Sequence, residues 1–238
     1  WSSDVCSSDL LLVSSSISLI TTLLKNIQKS DKTWNTLLSS TPDDYYLKIP
    51  IQSVQSFVSL LYQIMRTCDY SYDDIYQRLM KDMKSMMNDD FYDISAMYKF
   101  THLLDLIQDN IKFNEDIFEI YENYYNKSTE LDAFGIFRFP FKLAKSFNNT
   151  SLINNAINKF KQITTNYINN SVKNIDQLPE KEVKTIANKL NIIQLFLKNT
   201  EEEVKIDSIE HDKLTILMQY FKKEGNEKAC ESLQIINR

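Results

Sequence analysis

The chain has 238 residues, with 32 acidic against 27 basic side chains for a net charge of −5, and only two glycines. Average glycine usage is about 7%, so Gly135 and Gly225 leave few positive-φ positions for tight hairpins and no cluster to cradle a phosphate; this argues against β-rich folds, a P-loop and a dinucleotide-binding loop. The acidic balance disfavours nucleic-acid binding by the molecule as a whole, and no apolar run reaches the roughly 18 residues of a membrane span.

At the start of the chain, Trp1–Leu10 (WSSDVCSSDL) resembles the reading-frame translation of a sequencing adaptor, and no initiator Met precedes it. We set Trp1–Leu10 aside as non-native and expect residues 11–238 to form a single all-helical domain, itself a fragment of a longer protein. Cys68 and Cys230 then remain, far apart and outside any metal-ligand spacing, so a reducing, cytoplasmic setting is expected.

From Leu11 to Ser30, Leu12, Val13, Ile17, Ile20, Leu23, Leu24 and Ile27 fall at helical spacing. Trp34, Leu37 and Leu38 precede the turn signal Thr41-Pro42-Asp43-Asp44, and a loop runs from it to Pro50. Pro50 suits a first helical position, ahead of the face Val54, Phe57, Val58, Leu61, Ile64 and Met65. Ser71 and Asp74 form a capping pattern for a helix carrying Ile75, Leu79, Met83, Met86 and Met87. The methionines Met80, Met83, Met86, Met87 and Met97 are expected as core at this spacing rather than as a pliable groove. Asp93 is placed to cap the next helix, with Ile94, Met97, Tyr98, Leu104 and Ile107 inward, and Asn114-Glu115-Asp116 to start the one after it, with Ile117, Ile120, Tyr121 and Tyr124 as its buried face. Tyr70, Tyr72 and Tyr124-Tyr125, with Tyr45-Tyr46, are expected half-exposed near helix ends.

Ala133 to Ile175 contains no Asp or Glu, while Asp105 to Asp132 carries eight acids against Lys112 and Lys127. The simplest expectation is two adjacent helices of complementary charge over a solvated face; the alternative is a basic face for an acidic partner. Pro140 is expected to break or kink the helical pattern. After a loop at Asn148 to Ser151, Leu152, Ile153, Ala156, Ile157, Phe160, Ile163, Tyr167 and Ile168 trace a helix whose other face carries Asn154, Asn155, Asn158, Lys159, Lys161 and Asn166. Pro179 opens a helix with the stripe Val183, Ile186, Ala187, Leu190, Ile193 and Leu197. Glu201–Glu203 reads as loop, Asp207 with Glu210 as a second capping box, Gly225 as a C-cap, and Ala229, Cys230, Leu233 and Ile236 as a final short helix.

The fold class expected is therefore all-α: an irregular array of solenoid-like helix pairs, or a helical bundle. Paired helices begin near Ile51, Asp93, Glu130 and Glu180, about forty residues apart, the length of a HEAT- or armadillo-like unit. The run from Asp105-Leu106-Ile107 through Glu122-Asn123-Tyr124-Tyr125 to Ala133-Phe134-Gly135-Ile136-Phe137 loosely resembles the later helices of ANTH-type clathrin-adaptor domains. The resemblance implies a helical trafficking adaptor; the basic phosphoinositide-binding segment near the start of that family has no counterpart here.

His102 and His211 have no second ligand at a metal spacing, and no nucleophile elbow, EF-hand or His-Glu-x-x-His run is present. His102 is expected on a helix face or in the core, His211 on a first-turn surface. No catalytic residue, metal or cofactor is assigned. The expected function is a non-enzymatic protein-interaction or scaffold segment, with Arg138, Lys142, Lys145, Lys159, Lys161 and Lys173 as the partner-binding residues. The alternative is a peripheral membrane-trafficking adaptor using the same face on anionic lipid.

Overall fold

The computed structural model describes residues 29–39, 51–88, 93–171, 175–200, 204–206 and 209–237. The described residues are all-α, with no strand among them. Their helices are α1 (Asp31–Ser39), α2 (Ile51–Thr67), α3 (Tyr72–Asn88), α4 (Ile94–Ile107), α5 (Asp116–Lys127), α6 (Arg138–Ser146), α7 (Thr150–Ser171), α8 (Glu180–Asn199), α9 (His211–Lys223) and α10 (Glu227–Ile236). Short 3-10 segments lie at Gln108–Asn110, Leu131–Ile136 and Ile175–Gln177. The helix expected before Ser30, the Thr41–Pro50 turn and loop, and Glu201–Glu203 lie outside the described residues, apart from Lys29 and Ser30.

Two compact units make up the chain: the described residues of 1–83 with 95–113, and those of 84–94 with 114–238. The first unit buries Trp34, Leu61, Met65, Ile75, Leu79, Met80, Met83 and Met97; of the methionines expected as core, Met80, Met83, Met87 and Met97 are buried and Met86 is half-buried. Trp34 anchors α1, donating its indole N–H to Asp82 at 2.8 Å. Tyr70 donates to the Ser30 carbonyl at 2.7 Å. The capping box at the start of α3 is present: Asp74 N donates to Ser71 Oγ at 3.0 Å and Ser71 N to Asp74 Oδ2 at 2.8 Å. Lys29 also pairs with Asp74, and this ammonium, with Ser71, holds the carboxyl down to about 2.

In the second unit α8 packs against α10 and against Leu131–Ile136, while α7 packs against α5 and α6. Aromatic side chains fill its centre. Phe134, Phe160 and Phe196 are wholly buried and mutually in ring contact, with Tyr125 stacked on Phe134 at 5.2 Å. Tyr124 and Tyr125 belong to this core, in keeping with the buried face Ile117, Ile120, Tyr121 and Tyr124 but a correction to the half-exposed placement expected of both at a helix end; Tyr70, at 5% exposure, is buried likewise. For Tyr125 the reason is aromatic supply: the 3-10 segment and α6 deliver Phe134, Phe139 and Phe141 against Tyr121 and Tyr125 of α5.

Pro140 does not interrupt a helix. The 3-10 segment stops at Ile136, α6 begins at Arg138, and Pro140 falls in its first turn, where an N–H has no intrahelical acceptor. The loop expected from Asn148 to Ser151 is shorter, because α7 starts at Thr150 and Asn149 Oδ1 accepts from Leu152 N at 3.1 Å. Helix α9 starts at His211, and Glu210 stands before it in extended conformation with no capping hydrogen bond from its carboxylate; Asp207, the other residue of the box expected there, lies outside the described residues.

Three corners share one construction. Asp69, Asn148 and Gly225 have φ of 61°, 56° and 68°. In each, the next residue's N–H reaches back across the turn: Tyr70 to Met65 at 3.2 Å, Asn149 to Ala144 at 2.8 Å and Asn226 to Phe221 at 2.9 Å. These are Schellman endings. Ser71, Asn149 and Asn226 then cap the following helices.

Candidate functional site

Helix α6 is short and sharply two-sided. Phe139, Pro140, Phe141, Leu143 and Ala144 are buried, while Arg138 and Lys142 are exposed. Steps of four and three residues put Arg138, Lys142 and Lys145 along one side. Lys145 is half-buried, its ammonium 3.5 Å from the carbonyl of Thr200, the C-cap of α8. A cation there meets the negative end of the α8 dipole, so Lys145 is partly engaged in holding α6 to α8.

Lys159 and Lys161 are two residues apart on α7 and therefore about 200° apart around its axis. They flank the buried stripe Leu152, Ala156, Phe160, Ile163 and Thr164 on opposite sides. The structure thus gathers Arg138, Lys142 and Lys145 on one helix and separates Lys159 from Lys161 on the next. Lys173 lies outside the described residues.

Lys159 opens onto a groove of about 680 Å³ between the segment Ser128–Leu131 and the side chains of α7. Gln162, Asn166 and Asn170 continue its wall at four-residue intervals, with Tyr167 among them. Burial pushes the Tyr167 phenol above its ordinary range. Lys189 of α8 closes one part of the groove. Its ammonium pairs with the buried Asp132 and lies 3.9 Å from Glu130. Burial draws Lys189 below the ordinary lysine range, and Glu130 opposes that shift. The segment Glu130–Asp132 is thereby tied to α8.

Of the acids preceding the basic block, Asp116 pairs with Lys84 at 2.6 Å, and Asp132 and Glu130 with Lys189. Asn166 was visible in the sequence as part of a polar face. Gln162, Asn170, Lys189 and the Ser128–Leu131 wall were not assigned, although the spacing of Gln162, Asn166 and Asn170 was there to be found.

His102 is half-buried on α4 with its ring 6.2 Å from that of Tyr98, and His211 is exposed at the first position of α9. Among the described residues no three His, Cys, Asp or Glu side chains gather as a metal site, and no described helix is long and apolar enough to cross a membrane. Cys68 and Cys230 are both free thiols, and burial raises that of Cys68.

Set against models of protein families, curated proteins and solved structures, the sequence and its fold match none. The adaptor-like run from Asp105 to Phe137 gains no family from them. What remains to argue from is the geometry: a row of cations on α6, and a polar groove along α7 whose far wall is fixed by a buried ion pair.

Proposed function

We propose that this protein is a non-enzymatic helical segment of the cytoplasm that holds an acidic protein partner on its second unit. The observation that carries this is the outward row of Arg138 and Lys142 on α6, backed by buried Phe139, Phe141 and Leu143. Exposed cations on a rigid aromatic core keep their spacing and lose little freedom on binding, which favours an acidic surface of matching pitch. Lys159 and Lys161 extend the positive field onto both flanks of α7, and α7 itself has no acidic residue to offset them.

The test is affinity capture with a matched control. Replacing Arg138, Lys142, Lys159 and Lys161 with Glu should abolish retention of the wild-type partners at unchanged helicity. Retention of the same partners by the reversed protein would sink the proposal. Sedimentation with phosphatidylserine vesicles at low and physiological salt addresses the anionic-lipid alternative: salt-sensitive pelleting lost in the reversed protein would move the face to a membrane surface.

A further inference from the structure

Gln162, Asn166 and Asn170 are exposed, every fourth residue along α7, on the wall of the groove. A four-residue step rises about 6 Å along a helix axis. The i, i+4 row is inclined by about 26°, which stretches the distance along the row to about 6.7 Å. Two residues of an extended polypeptide span about 6.6–6.8 Å. Successive carboxamides therefore come into register with every second peptide unit of a strand laid along the row. A primary amide supplies donors and an acceptor at one position, the complement of a backbone carbonyl and N–H.

Lys159 also lines the groove, beside the row rather than on it: it stands seven residues before Asn166 and so nearly in line with it along the helix axis. No salt bridge engages it among the described residues, so it offers a charge to a carboxylate. The opposite wall is pre-formed, because Asp132 is buried in its pair with Lys189 and Leu131 is buried beside it.

We propose that this groove binds an extended, acidic segment of a partner polypeptide, with its backbone held by Gln162, Asn166 and Asn170 and a carboxylate side chain held by Lys159. The proposal rests on the protein-interaction function above, and it names the chemistry of the partner and the groove that reads it. Sequence tolerance follows, since the carboxamides meet groups common to all peptides and only the Lys159 position selects a side chain.

The probe is an array of octapeptides, each with one fixed Glu and varied neighbours, exposed to the full-length protein; the best binder is then titrated by fluorescence anisotropy. Each of Gln162→Ala, Asn166→Ala and Asn170→Ala should weaken that peptide about fivefold, the usual worth of one hydrogen-bonded group. N-methylation along the peptide should weaken binding at alternate nitrogens. Alanine favours helix at these exposed positions, so circular dichroism should be unchanged and the loss attributable to the amides. Lys223→Glu, exposed at the end of α9, should leave the peptide affinity as it was. An array with no binder, a best binder indifferent to all three alanines, or N-methyl effects without a period of two would each overturn the groove. A partner captured by wild type, lost with Lys142→Glu and kept by the triple alanine protein would overturn the groove while leaving the α6 function standing.

Discussion

Phe160 of α7 and Phe196 of α8 stack with ring centroids 3.9 Å apart and planes 20° from parallel. Phe196 also meets Phe134, Phe137 and Phe141 at 5.7, 4.8 and 5.8 Å, and is wholly buried. One ring thus links α6, α7, α8 and the 3-10 segment. Phe196→Ala should lower the stability of the second unit by about 3–5 kcal/mol, the range for emptying a large aromatic site. Urea unfolding followed by circular dichroism measures it, since the described residues of that unit contain no tryptophan. A loss under about 0.5 kcal/mol, as for a surface change, would show that the four neighbours pack without it.

Phe196 also marks where the sequence stopped short. The helix after Pro179 was legible from its proline, its first-turn glutamates and its i, i+3, i+4 stripe. Its far end, Ile192-Ile193-Gln194-Leu195-Phe196-Leu197, is apolar almost all round, so periodicity alone could not choose the inward face. The structure buries Ile193 and Phe196 and leaves Leu197 half-exposed. The basic block was equally plain as a run of charge. That Lys159 and Lys161 face apart follows from helix rotation, whereas the groove depends on the Ser128–Leu131 wall, brought there by tertiary pairing that no local pattern announces.

Asp132 and Lys189 form a buried ion pair in the second unit. With 8% and 14% side-chain exposure, neither recovers its hydration when the other is removed. Asp132→Leu and Lys189→Met should each cost about 3–5 kcal/mol, because each leaves a buried charge without its partner. The double replacement Asp132→Leu/Lys189→Met should recover most of that loss. A double variant as unstable as the sum of the singles would mean that the two side chains act independently.

His102 sets an acid limit on the first unit. Burial pulls its imidazolium below the ordinary 6.5, with Asp105 opposing. As pH falls through about 6.5, the unfolded polypeptide takes up the proton before the folded one. The stability tied to His102 is therefore complete above that value and is lost as pH drops from 6.5 toward the folded pKa. Asp74 acts in a lower window, between 3.8 and about 2. His102→Gln should flatten the pH dependence of urea midpoints near pH ~6, read from tryptophan fluorescence, while Asp74→Ala leaves that region alone. An unchanged slope in the glutamine protein would assign the limb to another group.

The corner at Gly225 offers the cleanest backbone test. A Cβ added there meets nothing within 4 Å, so steric crowding from neighbours is removed as a variable and only φ remains. At +68° an L side chain is strained by about 1–2 kcal/mol, and Gly225→Ala should lose stability of that order. Asn148 occupies the same conformation with φ of 56°, tolerable for asparagine through its short polar side chain. Asn148→Gly should therefore be neutral or gain a few tenths of a kcal/mol, the relief of φ strain being offset by greater freedom in the unfolded polypeptide, and Asn148→Ala should lose about 1 kcal/mol. Midpoints of chemical unfolding for the three proteins decide it. If alanine proves neutral at both corners, the back-reaching bonds from Asn149 to Ala144 and from Asn226 to Phe221 hold each turn regardless of φ preference, and the residue at the corner is incidental.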